Sequence, residues 1–186
     1  MPRLIERLLI AAVSLAISIG VIALLSGGLL AGRDTPGING TAAGPGVAFR
    51  DQGDLHLRPG DLEPIYDSNP PTSGPHIPAA IIRNGATLSN DQLLQALQVG
   101  DVVLMYGTRR PPAGVTQLAN SVAPPFTAAL AASGGAVVLA QRPGTAGVIG
   151  RAWAHMQRVA TAGDPALRSF TQFWLGRGAT SVLPTS

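Results

Sequence analysis

Asn69-Pro70-Pro71-Thr72-Ser73-Gly74-Pro75-His76 is the stretch on which the reading of this chain turns. Three prolines and a glycine within eight positions leave the backbone few conformations. Proline fixes its own φ and drives the residue before it toward extended geometry. Asn69, Pro70 and Gly74 each precede a proline, so all three are expected in β or polyproline conformation. The outcome is a stiff, extended elbow that presents His76 in a defined direction. Such a device places a side chain or a strand, and it carries no catalytic signature of its own.

Working outward, residues 51–87 are irregular and turn-rich. Residues 88–99 read as a helix: Ser89 or Asn90 caps it, Leu93, Leu94 and Leu97 form an apolar stripe, and Gly100 stops it. Residues 101–106 are apolar and β-branched, the strongest strand signal in the chain. A turn follows at 109–114, then short helices at 115–122 and 126–132 split by Pro124-Pro125. Residues 136–140 and 148–159 read as two strands joined around Pro143-Gly144. Asp164-Pro165 opens a final helix to about residue 176, with Leu167, Phe170, Phe173 and Trp174 as its buried face. Three strands with three or four helices predict an α+β domain over residues 51–180. Its small mixed sheet should be mostly antiparallel, with a tail at 181–186. A domain of that size buries an adequate core without disulfides.

Composition removes many chemistries. The chain of 186 residues has no Cys, so disulfides, thiol nucleophiles and thiolate metal sites are absent. All 13 basic residues are Arg, which removes phosphate-loop and Schiff-base lysines. Neither a GxSxG elbow nor an HExxH pair occurs, and Ser73 with His76 lacks an evident orienting acid. The net charge is +3, but the arginines are scattered and aromatic residues make up only 4%, so no nucleic-acid surface is expected. Asp51, Asp54, Asp61, Glu63 and Asp67 cluster before the elbow without calcium-loop spacing and read as solvated loop charges. No motif marks a small-molecule substrate.

The N-terminal part has a different character. Residues 8–32 form a run of 25 residues without a charge. At ~1.5 Å per residue this makes roughly 37 Å of helix, enough to span a ~30 Å hydrocarbon core with tilt. The run is long for a cleaved leader. Arg3 and Arg7 precede it, which places residues 1–7 in the cytoplasm and the remainder outside. A single-pass anchor is therefore expected, with a tether at 33–50 and an extracytoplasmic domain beyond. Ala12, Ala16 and Gly20 recur at four-residue spacing and offer a small-residue face to a partner helix.

The segment Asp51-Gln-Gly-Asp-Leu-His56-Leu-Arg-Pro-Gly60, followed by Tyr66 and the elbow, resembles a bacterial family designated domain of unknown function 3105. The resemblance runs over residues 50–177 and is specific over 51–76. It implies a small membrane-anchored or exported protein without an assigned reaction. The family pattern has a later His-x-Leu-Glu-His-Gly segment, which with two upstream histidines implies an imidazole–carboxylate metal site. Here that segment is Gln95-Ala-Leu-Gln-Val-Gly100, so both histidines and the carboxylate are gone. Where the family has Ala-Trp-Gly and a basic residue, this chain has Ala152-Trp-Ala-His155.

The leading expectation is a non-enzymatic accessory subunit that docks on a larger membrane protein complex without a cofactor. Ala12, Ala16, Gly20, Pro70 and Pro71 are its partner-binding candidates. The alternative is a periplasmic metal-binding protein holding a transition metal such as zinc or copper with His56, His76 and His155. In that case, alternation along a continuous strand would put residues 153 and 155 on one face.

Overall fold

The computed structural model of the protein describes residues 44–62 and 64–179. The expected membrane run 8–32, residues 1–7 and the tail lie outside them, as do Ala12, Ala16 and Gly20. Among the described residues no helix is long and apolar enough to cross a membrane.

The domain is α+β, with five strands and four helices among the described residues. The strands are β1 (Val47–Ala48), β2 (Val102–Tyr106), β3 (Val137–Gln141), β4 (Val148–Ala152) and β5 (His155–Val159). The helices are α1 (Asn90–Val99), α2 (Ala113–Val122), α3 (Ala128–Ala132) and α4 (Pro165–Trp174). Strand order is β1-β5-β4-β2-β3, and only β2 and β3 pair in parallel, across a connection that carries α2 and α3.

Local chemistry explains the helix ends. Ser89 and Gln92 close a reciprocal capping box on α1, and Gly100 ends it with φ 114°. Thr127 caps α3, while Asp164 accepts from Ala166 N at 2.9 Å ahead of Pro165 in α4.

Every residue of β2 is buried, as a central strand covered on both faces requires. One face carries Val103, Met105, Val138 and Ile149 against α1, α3 and the elbow. The other carries Val102, Leu104, Val137 and Val159 against α2 and α4.

Two expectations are corrected. Residues 148–159 are not one strand but an antiparallel hairpin, β4 and β5, with Trp153-Ala154 as its turn. Ala154 takes φ 56°, while its N–H donates to Thr72 O and its carbonyl accepts from Phe49 N. The turn is held from outside rather than by turn-forming residues. The folded region also begins before residue 51: β1 pairs with β5, and Trp174 Nε1 donates to Pro45 O at 2.8 Å. The two ends of the sheet differ. Two-residue β1 pairs with only His155 and Met156 of β5, whereas at β3 Gly85 N donates to Leu139 O and Asn84 Oδ1 accepts from Leu139 N.

Candidate functional site

The elbow is pinned by polar bonds from distant parts of the chain. Ser73 Oγ accepts from Gln52 N at 3.0 Å and donates to Arg50 O at 3.2 Å. Tyr66 OH donates to Pro75 O at 2.9 Å. Arg142 Nη2 donates to Asn69 Oδ1 at 2.6 Å, and Arg158 Nη2 donates to Asn69 O at 3.3 Å. Thr72, Ser73 and His76 are fully buried. Gly74 departs from the extended geometry expected before a proline: its φ is +130°, which only glycine adopts readily. The Tyr66 ring packs against it so closely that a Cβ there would lie 2.9 Å from Cε1.

Pro70 and Pro71, expected as partner contacts, are buried within the domain itself. Of the exposed large apolar residues, Val47 belongs to β1 and the other four lie in the segments before and after the elbow in sequence: Leu62 is 93% exposed, Ile65 94%, Ile82 80% and Leu55 66%.

His56 and His76 do meet. Leu57 N donates to His76 O at 2.9 Å and His76 N to Leu55 O at 3.1 Å, and the two rings sit edge to face with centroids 5.4 Å apart. His76 Nδ1 lies 2.9 Å from Gly74 O. A carbonyl only accepts, so Nδ1 carries the proton and Nε2 is left as a buried atom without a partner. His56 Nε2 donates to Gln98 Oε1 at 2.9 Å. Gln98 of α1 thus faces the first histidine with a neutral amide.

His155 joins neither. The hairpin places it at the start of β5, where its ring stacks on Trp174 with centroids 3.7 Å apart. Its Nδ1 donates to Trp153 O at 2.8 Å, and burial pushes its pKa down, a shift that hydrogen bond partly opposes. Among the described residues no group of three or more His, Asp or Glu side chains is placed to hold a metal ion. The three-histidine arrangement is not formed because Trp153-Ala154 is a turn that separates His155 from β4, so alternation does not carry through it. Two imidazoles and a neutral amide, with Gln98 already occupied by His56, do not make a transition-metal site.

Acidic loop residues make local structural bonds. Asp51 accepts from Gly53 N and from the Trp153 indole Nε1, and Asp61 accepts from Arg58 N. Ser73 and His76 are each bonded to backbone groups, not to one another.

Sequence reading missed two buried charged groups. Arg151 of β4 is fully buried and none of its guanidinium nitrogens has a hydrogen-bond partner. Its pKa is lowered to about 9, chiefly by burial and then by the nearby Arg158 and Arg142 charges, with Asp67 opposing. Asp101 precedes β2 and is 1% exposed. The available signal was a lone charge within or beside an apolar strand, a combination that demands a partner.

No curated protein and no solved structure matches the chain. Residues 62–181, well over half its length, match the family described as protein of unknown function DUF3105. That span takes in the elbow, the whole helical layer and every strand except β1, and the chain belongs to this family.

Proposed function

We propose that this protein is a non-enzymatic, single-pass membrane protein of the bacterial inner membrane. In this reading its periplasmic domain docks, as an accessory subunit, on a larger membrane protein complex. The observation that carries the reading is the group of exposed apolar side chains in the segments before and after the elbow: Leu55, Leu62, Ile65 and Ile82. Single exposed apolar residues are ordinary, but four in the segments flanking one rigid element favour a contact surface. The rigidity of the elbow supports the same reading, because a surface held in one shape loses little entropy on binding. The histidines are engaged in internal hydrogen bonds, which favours a structural over a catalytic role.

The test is extraction of the full chain from its membrane in mild detergent. Co-migration with defined partner proteins is expected, and Leu62→Ser combined with Ile65→Ser should release the chain from them while it stays folded. Wild-type protein that elutes as a monodisperse monomer with no partner would overturn the proposal.

A further inference from the structure

Helices α1 and α3 and the segment after the elbow enclose a cavity of about 360 Å³. That is within the range of small-molecule sites, roughly 300–1,000 Å³. Its walls are small and apolar, chiefly Ala96, Val99, Ala128 and Ala131, and no aromatic ring lines it. Asp101 and Gln95 supply the polar lining. Asp101 Oδ1 accepts from Ala136 N at 2.8 Å, which ties the start of β2 to the residue before β3. Its Oδ2 is buried without a partner, as is Gln95 Oε1. Both unsatisfied atoms are acceptors, and Asp101 is the single charged group in the lining.

We propose that this cavity binds a small primary amine, its ammonium held by Asp101 and Gln95 and its short aliphatic body filling the alanine-lined space. An unpaired buried carboxylate is costly, and a bound cation with N–H donors compensates both its charge and its hydrogen bonding. Burial pushes the Asp101 carboxyl up to about 7, so near neutral pH it is poised to ionise when a counter-charge arrives. A quaternary ammonium fits poorly, since it has no N–H to donate and no ring is present to meet it. A carboxylate or phosphate would face charge of its own sign. This site goes beyond the docking role and does not depend on it.

The test follows thermal unfolding of the full chain in mild detergent, buffered at pH 8, against n-butylamine, n-butanol and butyrate. Butylamine should raise the midpoint saturably at roughly tenfold lower concentration than butanol, reflecting a charge-assisted hydrogen bond, and butyrate should not raise it. Asp101→Asn should abolish the preference for amine over alcohol. Ala131→Phe should fill the cavity and abolish the response to both ligands, which decides the matter if Asp101→Asn fails to fold. Equal responses to amine and alcohol, an amine preference that survives in either variant, or no saturable response would each overturn the proposal.

Discussion

The irregular segment around the elbow and the sheet with its helices are buried to the same depth by different means. In β2, Val102, Val103, Leu104 and Tyr106 are fully buried through apolar contact and ladder hydrogen bonds on both sides. In the elbow, Thr72, Ser73 and His76 are equally buried, yet no regular ladder holds them. The elbow's backbone is satisfied by single bonds from Tyr66, Arg158, the hairpin turn and residues 55–57, and Gln52 and Arg142 bond the side chains of Ser73 and Asn69. Buried backbone must find partners somewhere, and a segment without secondary structure draws them from far along the chain. The sheet region should therefore fail by losing volume, and the elbow by losing a specific atom or torsion.

Four substitutions separate these two modes. Leu94→Ala, which empties a fully buried position on α1, should destabilise by about 2–5 kcal/mol in urea unfolding. Gly74→Ala should cost about 1–3 kcal/mol although it adds volume, because it forces φ +130° on a residue with a Cβ beside Tyr66. If Gly74→Ala is neutral, the elbow is not torsionally constrained and the contrast fails.

Asp101 gives a pH-dependent comparison. Its carboxyl is raised from 3.8 to about 7, so the folded state keeps a proton that the unfolded chain has already lost between these values. Stability from this group is undiminished below pH 3.8, falls as pH rises through that window, and levels off above about 7. Asp101→Asn keeps an acceptor for Ala136 N and should gain on wild type as pH rises from 4 to 8, by about 4 kcal/mol at most. A pH-independent difference would remove Asp101 as the cause. The smallest effect is Ala154→Gly, which relieves φ 56° at the hairpin turn and should stabilise by about 1 kcal/mol or less.

Where local pattern and tertiary environment agreed, the fold was legible. Leu93, Leu94 and Leu97 with Gly100 marked α1, the apolar run after Asp101 marked β2, and Asp164-Pro165 marked the start of α4. The β4–β5 turn was hidden because Trp153-Ala154 contains no turn-forming residue and depends on Thr72 and Phe49 for its shape. β1 was hidden because two residues carry no periodicity, and its partner lies more than a hundred positions away. His56 and His76 both lie in the segments that the sequence singled out, whereas the Asp101 cavity exists only because α3 closes over α1. No local spacing encodes that closure.

The two ends of the sheet differ in how they meet other molecules. β3 is bonded along its outer side by residues 84–86, so strand addition, and the edge-to-edge aggregation that accompanies it, is blocked there. At the other end β1 pairs only with His155 and Met156, which leaves residues 157–159 of β5 without a strand neighbour on that side among the described residues. A molecule that meets the β3 end must read side chains, whereas one that meets the β5 end also finds backbone.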